Sequence, residues 1–527
     1  MYGRGIACGV YASANNVCGT PAAGPLGLFA ATAGALLLLP EPIDYNTKQF
    51  EARLNYAGDS LKLNLGYYGS FFSNANSALS PNIVTLGVPN QSVNGAGTTT
   101  LYGLLTQPMA LAPDNQAHQV YADGTYAFTA TTRANFKLAY SHATQHEDFS
   151  PALTAPTANL GGVVDTKLAQ FGLTARPLAR LSLLANVRYE DRDDKTPYGL
   201  FTTFTNAQNS QRKLGGKLEG SYQLPDNYRA TLGVDYLSVH RDRPVGTTVF
   251  VDPGFSGLRE QTKELGYRAE LRRSMSETLN AAVSYNHSKR DGSSWLNPAA
   301  AGFPAVPDAA IAVTGTLPTT LEDRSRDKLR LSADWTPLEA LSLQFIVEDG
   351  KDSYSGPTQK GLRDSGMRNY GIDASWKLSE LWKFTGYWNK AYQTQHVNHS
   401  IGYLAELNDV STTLGLGVAG KAGAKLDLGA DLMLIDDKNR YQQSFNSGAA
   451  GLPDVSFQQL RLKLFGKYAL EKNADLRIDL VHQRAKLDEW TWGYNGTPFV
   501  YADNSSVTLQ SNQNVSFIGA SYIYKLK

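Results

Sequence analysis

Apolar and polar residues alternate along most of the chain, in segments of about ten residues each. A short example is the run Leu460-Arg461-Leu462-Lys463-Leu464, in which leucines alternate with cationic residues. Side chains of a β-strand point alternately to its two faces, so such a segment forms a strand with one apolar and one ionic face. About nineteen segments of this kind are predicted between residues 46 and 527.

The connections between the predicted strands differ in length in a regular way. Short connections such as Pro225-Asp226-Asn227 join the two members of a strand pair, and long polar connections such as residues 73–117 and 291–322 separate the pairs. Bacterial outer-membrane barrels have short periplasmic turns and long extracellular loops, whereas a soluble two-sheet sandwich has no reason to sort its connections by length. We therefore predict an all-β protein, a large antiparallel transmembrane β-barrel, in the outer membrane of a Gram-negative bacterium. Residues 1–45 are expected to form an irregular or partly stranded segment, and residues 46–527 the barrel.

The composition agrees with a membrane barrel and excludes several other classes. No apolar run reaches the roughly 20 residues of a transmembrane helix. The 28 Tyr, 20 Phe and 7 Trp suit β-strands and the aromatic belts of a membrane barrel. The formal net charge of +1 gives no sign of nucleic-acid binding. Cys8 and Cys18 are the only two cysteines, which excludes a disulfide framework.

Alternation assigns each strand residue to the lipid or to the lumen. An Arg or Lys that faces lipid near the bilayer midplane costs about 2–4 kcal/mol, so the charged side chains are expected to face the lumen. The predicted lumen is therefore strongly ionic and mixed in sign. The candidate lumen residues are Asp235, Glu264, Arg268, Glu270, Arg272, Arg330, Asp334, Asp373, Asp427, Asp431, Arg461, Lys463, Lys467, Arg477 and Asp479. The candidate lipid-facing residues include Leu61, Leu63, Leu65, Tyr67, Leu232, Val234, Tyr236, Leu265, Tyr267, Ala269, Leu271, Tyr370, Ile372, Ala374, Trp376, Leu426, Leu428, Ala430 and Leu432.

No motif in the sequence indicates catalysis. The segment from Gly415 to Gly420 has the glycine spacing of a dinucleotide-binding loop, but it lies within a predicted strand and leads to another strand. The sequence contains no G-x-S-x-G elbow and no Walker A loop. It also contains no C-x-x-C-H motif, so the chain is expected to carry no c-type haem of its own. We predict that the protein is not an enzyme and binds no cofactor.

Candidate metal ligands are sparse. His142 and His146 are four residues apart but stand beside acidic residues that indicate a loop mouth, and His396 with His399 is a weaker pair that is expected to lie in a loop. Acidic residues near strand ends could hold calcium through oxygen ligands, although ordinary solvation is the favoured interpretation. These calcium candidates are Asp349 with Asp352, and Asp436 with Asp437 and Asn439.

Several short segments resemble the MtrB/PioB family, whose members are outer-membrane barrels associated with decahaem cytochromes. The similarity covers about residues 39–527, and its segments occur in the family's order. They are Leu39-Pro40-Glu41-Pro42-Ile43-Asp44-Tyr45, Gln49-Phe50-Glu51-Ala52, Leu54-Asn55-Tyr56-Ala57-Gly58, Leu65-Gly66-Tyr67-Tyr68-Gly69-Ser70-Phe71-Phe72, Leu452-Pro453-Asp454-Val455, Gly466-Lys467-Tyr468, Asp488-Glu489-Trp490-Thr491-Trp492 and Val515-Ser516-Phe517-Ile518-Gly519.

The resemblance implies a barrel of roughly 26 strands. This chain is therefore expected to be truncated at its N-terminus. It also implies that the barrel houses a periplasmic decahaem c-type cytochrome, threaded in the lumen, and supports electron transfer across the outer membrane. The haem would belong to that partner, and an extracellular multihaem cytochrome is a further expected partner. Cys8 and Cys18 are too far apart to be the C-x-x-C pair that well-known members carry.

A different class remains open, namely a general or substrate-specific diffusion porin or transporter with an open lumen. A transporter of the TonB-dependent type would need a plug of roughly a hundred residues before its first strand. Only about forty residues precede the first strand predicted here. An outer-membrane enzyme is a third reading, disfavoured because no catalytic constellation is found.

Overall fold

The structure is a computed structural model, and it describes the chain in a series of ranges. These are residues 2–6, 35–39, 42–79, 108–149, 155, 157–201, 204–206, 208–242, 259–295, 321–356, 360–398, 404–444, 453–489, 493–494, 497–500, 506–507 and 511–524. The described residues contain no helix long and apolar enough to span a membrane.

The described ranges are dominated by 19 long strands, numbered here β1 to β19 in chain order. The first ten are β1 Tyr45–Ala57, β2 Leu61–Asn74, β3 Asn115–Thr129, β4 Thr132–Gln145, β5 Gly162–Leu178, β6 Leu181–Asp194, β7 Gln211–Gln223, β8 Tyr228–Arg241, β9 Gln261–Ser274 and β10 Leu279–Gly292. The others are β11 Asp323–Leu338, β12 Leu341–Ser355, β13 Gly361–Lys377, β14 Trp382–Asn398, β15 Leu404–Lys421, β16 Leu426–Ser444, β17 Val455–Glu471, β18 Ala474–Asp488 and β19 Asn512–Tyr524.

The 19 strands form one closed barrel in chain order, and the paired neighbours are antiparallel. The longest register joins β15 to β16 without interruption, from Leu404 opposite Ser444 to Lys421 opposite Asp427. The prediction of a large all-β barrel with about nineteen strands is therefore confirmed. Four smaller ladders of the described residues lie outside the barrel. They are Tyr2–Ile6 with Ala35–Leu39, Ala78–Leu79 with Met109–Ala110, Leu200–Phe201 with Phe204–Thr205, and the three segments Gly493–Tyr494, Thr497–Val500 and Ser506–Val507.

Short and long connections lie at opposite ends of the barrel, as the sequence indicates. In the turn between β7 and β8, Asp226 and Asn227 have φ angles of 55° and 61°, and the amide of Tyr228 donates to the carbonyl of Pro225 at 3.2 Å. Two consecutive residues with positive φ match the twist of a tight hairpin, and Asn and Asp tolerate this conformation better than most residues. The end with the short turns is accordingly the periplasmic end, and the other is the loop end.

The barrel displays apolar side chains instead of burying them. Leu232 is 68% exposed, Phe171 is 55% exposed and Leu416 is 53% exposed, although all three lie within long strands. A water-soluble sandwich would bury such residues between two sheets. Their display on one face is the arrangement that a barrel needs in order to meet hydrocarbon chains.

The most deeply buried large side chains among the described residues lie at the loop end of β9 to β13. Trp295, Leu321 and Glu322 are each at most 2% exposed. The Glu322 carboxylate pairs with Arg363 at 2.5 Å, and burial raises the pKa of Glu322 while Arg363 opposes this rise. Arg259 donates to the carbonyl of Leu321 at 3.1 Å. These contacts hold the start of β11 against the beginning of β13.

The junction between β1 and β19 differs from the others in the ring. Because the strands alternate in direction and their number is odd, the first and last strands run the same way, so only a parallel pairing could join them. β1 is exposed at all its positions and β19 at all but one, and no residue register joins these two fully described strands. Every other neighbouring pair is joined by an antiparallel register, so this junction is the weakest of the ring.

Hydrogen exchange is expected to reveal that weakness. In β1 and β19, every second amide points away from the antiparallel neighbour, and these amides should exchange about tenfold faster than amides in the middle of β15. Residue-resolved exchange of the protein in detergent micelles measures the difference. Equal protection in β1, β15 and β19 would show that β1 and β19 are bonded to each other as tightly as the other neighbours in the ring.

Candidate functional site: the ionic lumen face

The strand registers place all the candidate lumen residues on one face of the barrel. Asp431 of β16 lies opposite Gly417 of β15 and Lys463 of β17, for example. Residues opposite each other in a register share a face, and the registers link every pair of neighbouring strands from β7 to β18 in this way. The shared face carries Asp235, Glu264, Arg268, Glu270, Arg272, Arg330, Asp334, Asp373, Asp427, Asp431, Arg461, Lys463, Lys467, Arg477 and Asp479. The leucine, tyrosine and tryptophan residues predicted to face lipid lie on the opposite face.

Ion pairs across an intervening strand indicate that the ionic face is the concave one. Arg272 of β9 reaches Asp334 of β11 at 3.1 Å, although β10 lies between them. Arg324 likewise reaches back from β11 to Glu264 of β9 at 2.7 Å. Side chains converge on the inner side of a curved sheet and diverge on the outer side, so such pairs are favoured in the lumen.

Glycines on the lumen face make room for some of these crossings. Tyr121 of β3 lies across Gly66 of β2, where a β-carbon would come within 2.1 Å of the tyrosine ring. The Tyr121 hydroxyl donates to Glu51 of β1 at 2.7 Å and accepts from Arg53 at 3.0 Å. Arg53 also pairs with Glu51 at 2.9 Å. The absence of a side chain at Gly66 is therefore what allows β1 and β3 to be joined over β2.

Neighbouring strands are joined by further ion pairs on the lumen face. Arg326 binds Asp352 through two hydrogen bonds of 2.7 Å each, and both Asp352 and Glu348 are less than 9% exposed. Lys328 pairs with Glu348 at 2.7 Å. These residues were not among the predicted lumen candidates, although the same alternation rule would have found them. Bidentate and well-buried pairs of this kind hold the side chains in place along the wall of the barrel.

The candidate residues fall into two groups according to their pairing. Those with an ion-pair partner are Glu264, Arg268, Glu270, Arg272, Arg330, Asp334, Lys467, Arg477 and Asp479. In the part of the chain that the structure describes, the remaining six have no ion-pair partner within 4.0 Å, and they are Asp235, Asp373, Asp427, Asp431, Arg461 and Lys463. The last four lie on the neighbouring strands β16 and β17, where Asp431 is opposite Lys463. We call Asp427, Asp431, Arg461 and Lys463 the β16–β17 charge cluster.

Two histidines that could have bound metal instead form hydrogen bonds with carboxylates. His142 of β4 contacts Asp165 at 2.7 Å, and Lys195 contacts the other oxygen of that carboxylate at 2.7 Å. The expectation that His396 lies in a loop is wrong, because it lies in β14 and contacts Asp364 at 2.7 Å. The strands extend beyond the apolar belt, so polar residues near the loop end remain within regular β-structure.

The other candidate sites are separated or occupied by strand packing. Asp349 lies on the outer face with Arg368, at 2.8 Å, while Asp352 lies on the lumen face. The described residues contain no group of three or more histidine, cysteine or acidic side chains placed to hold a metal ion. The glycine motif that begins at Gly415 lies inside β15, where the ring of Tyr387 covers Gly415. His399, Cys8 and Cys18 lie outside the described residues.

The outer face carries cations at the loop end, and Asp454 holds two of them. Lys438 contacts the Asp454 carboxylate at 2.7 Å and Arg440 contacts it at 3.3 Å. The hydrogen bond from Lys438, followed by that from Arg440, lowers the pKa of Asp454. A carboxyl group whose pKa is lower in the folded state stabilises that state above its unfolded pKa, and the effect disappears as the pH falls through the folded pKa.

Replacement of Asp454 by asparagine should therefore have a pH-dependent effect. At pH 6 the variant is expected to show faster hydrogen exchange at the start of β17 than the parent protein. At a pH below the folded pKa of Asp454 the two proteins should exchange alike, because the carboxyl is then protonated in both states of the parent. A difference that persists unchanged at low pH would assign the effect to packing instead of charge.

Comparison with known proteins agrees with this architecture. The family model described as "Putative outer membrane beta-barrel porin, MtrB/PioB" matches residues 12–526. The chain belongs to the MtrB/PioB family. A curated relative, "Outer membrane protein MtrB" of Shewanella baltica (strain OS185), is 24% identical over 474 residues, which are 86% of this chain and 64% of the relative. The chain therefore spans less than two thirds of that relative's length.

The MtrB/PioB assignment places the barrel in the outer membrane. Among solved structures, the ferric-catecholate import receptor Fiu from E. coli K12, in its closed form, has a TM-score of 0.51 and 11% identity, covering 92% of this chain and 75% of that chain. A mutant of the ferric enterobactin receptor PfeA of Pseudomonas aeruginosa has a TM-score of 0.44 and 13% identity, covering 90% of this chain and 77% of that chain. At such identities the likeness to Fiu concerns the barrel fold alone, and the likeness to PfeA carries no further argument.

Proposed function

We propose that this MtrB/PioB barrel houses a periplasmic multihaem c-type cytochrome in its lumen and thereby supports electron transfer across the outer membrane. In this role the barrel is not an enzyme. It positions the cytochrome and separates it from lipid, while the cytochrome carries the haem. An extracellular multihaem cytochrome at the loop end is the further partner that this role implies.

The width of the barrel supports a protein-sized occupant. Strands spaced about 4.8 Å apart and tilted about 40° give 19 of them a circumference of roughly 120 Å and a diameter of roughly 38 Å. Side chains that extend about 5 Å from each wall leave a lumen roughly 28 Å wide. An α-helix with its side chains measures about 10–12 Å, so a small folded domain fits into this space. An empty lumen of that width would leave the outer membrane permeable to large solutes.

The chemistry of the lumen face carries the proposal. Ionic residues of both signs cover the wall, and the β16–β17 charge cluster has no ion-pair partner in the described part of the barrel. A polar wall of mixed sign suits a hydrated interface with a soluble protein, where charge complementarity fixes the orientation of the partner. A selective pore instead needs a ring of like charge or a narrow constriction.

Purification of the full-length native protein in mild detergent tests the proposal. A haem-stained gel and a redox spectrum should reveal a c-type cytochrome that co-purifies with the barrel in a fixed ratio. A colourless barrel that conducts ions in a planar bilayer would overturn the proposal in favour of a diffusion porin. The native membrane is the required source, because the test needs a cell that also makes the cytochrome.

A further inference from the structure

A groove of about 560 Å³ lies on the outer face of strands β14 to β18, toward the loop end. Its wall nearer the membrane midplane is apolar and contains Trp388, Leu414, Leu434 and Leu460. Arg484 and Lys486 of β18 lie at its side and at its loop end. The groove is therefore amphipathic along the direction of the membrane normal.

The strand registers explain this division. One row across the sheet runs from Leu414 through Leu434 and Leu460 to Arg484. The next row toward the loop end is polar and ends at Lys486, which lies opposite Gln458. Both rows are on the outer face, because their positions alternate along the strands with lumen-face positions such as Asp431 and Lys463. The step from leucines to polar residues thus marks the upper edge of the apolar belt.

The two cations of the groove differ from the two outer-face cations nearer the loop end. Arg484 and Lys486 are exposed, and neither has an ion-pair partner within the ranges that the structure describes. Lys438 and Arg440, by contrast, both contact the carboxylate of Asp454. The carboxylate in the groove, Asp436, accepts a hydrogen bond from Gln458 at 2.9 Å. Within the described residues, the groove therefore presents to a ligand two cations without an ion-pair partner, above an apolar wall.

We infer that this groove binds one phosphorylated glycolipid of the outer leaflet. The acyl chains lie along the apolar wall beside Trp388, and a phosphate group contacts Arg484 and Lys486. Three observations favour this occupant: the groove faces the bilayer, it lies at the loop end, and its two cations complement a phosphate. Asp436 provides an acceptor for the hydroxyl and amide donors that a sugar headgroup also carries.

Native mass spectrometry with diphosphoryl lipid A as the probe tests this inference. The full-length protein, delipidated in detergent, is expected to bind one molecule. A cation near a membrane surface contributes about fivefold to the binding of anionic lipid, so the double variant Arg484→Gln/Lys486→Gln should bind roughly 25-fold more weakly. Lipid A without its phosphates should bind the parent protein with a similar loss.

The matched control is Lys263→Gln/Lys289→Gln, which removes two cations from the outer face of β9 and β10, outside the groove. This control is expected to bind lipid A like the parent protein. Gel migration of unheated and heated samples is compared for each variant, and a difference verifies that the variant is folded. Equal binding by the groove variant and the parent would overturn the inference, as would equal binding of the dephosphorylated lipid. A parent protein that bound inorganic phosphate but not lipid A would assign the groove to a free anion. A groove variant that lost a dimer but kept its lipid would assign the groove to a second copy of the chain.

Discussion

Replacement of Gly66 by valine is expected to prevent stable assembly of the barrel around β1 to β3. The new side chain would occupy the space of the Tyr121 ring, which lies within 2.1 Å of the position of a β-carbon. Displacement of Tyr121 would also break its hydrogen bonds to Glu51 and Arg53. Overpacking and the lost hydrogen bonds together should destabilise the fold by about 2–4 kcal/mol.

Heat-modified migration and the yield of folded protein in the outer membrane measure this effect. Gly366→Val is the matched control, because Gly366 also lies within a long strand and has nothing within 4 Å of its β-carbon position. It should assemble like the parent protein. The double variant Gly66→Val/Tyr121→Ala should recover much of the yield, since the clash is removed. Equal losses in the Gly66 and Gly366 variants, without recovery in the double variant, would contradict the packing argument.

Reversal of Arg461 and Lys463 to glutamate is expected to release the cytochrome from the barrel. This result depends on the proposed function. Both side chains belong to the β16–β17 charge cluster and face the lumen without an ion-pair partner among the described residues. If they contact carboxylates of the partner, two reversals replace attraction by repulsion and should lower the co-purified haem at least about tenfold.

Two control variants separate contact from general effects of charge. Lys263→Glu/Lys289→Glu changes the net charge by the same amount on the outer face and should keep the cytochrome. Arg477→Asp/Asp479→Arg exchanges the two members of a bidentate lumen pair and should also keep it, because that pair is satisfied within the barrel. Unchanged haem content in the Arg461 and Lys463 variant would remove these residues from the interface. It would leave the housing role itself to be decided by the purification from native membrane.

The predicted strands and faces agree with the structure because both follow from a local rule. A strand repeats every two residues, and a charged side chain that faces lipid costs several times the thermal energy. Leu460, Arg461, Leu462 and Lys463 therefore reveal their faces without any knowledge of the neighbouring strands. The turn at Asp226 and Asn227 is equally local, since their tolerance of positive φ is a property of the residues themselves.

The error at His396 also has a local origin. Polar residues near a long connection were interpreted as loop, but β14 continues to Asn398. Hydrogen bonding between neighbouring strands does not stop where the bilayer stops. Residues above the apolar belt can therefore remain in β-structure, and the polarity of the sequence marks the membrane boundary better than it marks the end of the strand.

The sequence alone determined the fold class, the approximate number of strands and, through alternation, which residues of a strand share a face. Only the tertiary structure decided which residues meet. Alternation fixes the face on which a residue lies, but its position along the barrel axis relative to neighbouring strands depends on the register between them. Tyr121 and Arg53 are 68 residues apart, and their contact follows from two registers and from the gap at Gly66. The unpaired charges of β16 and β17 and the groove below Lys486 arise in the same way, from rows that cross several strands.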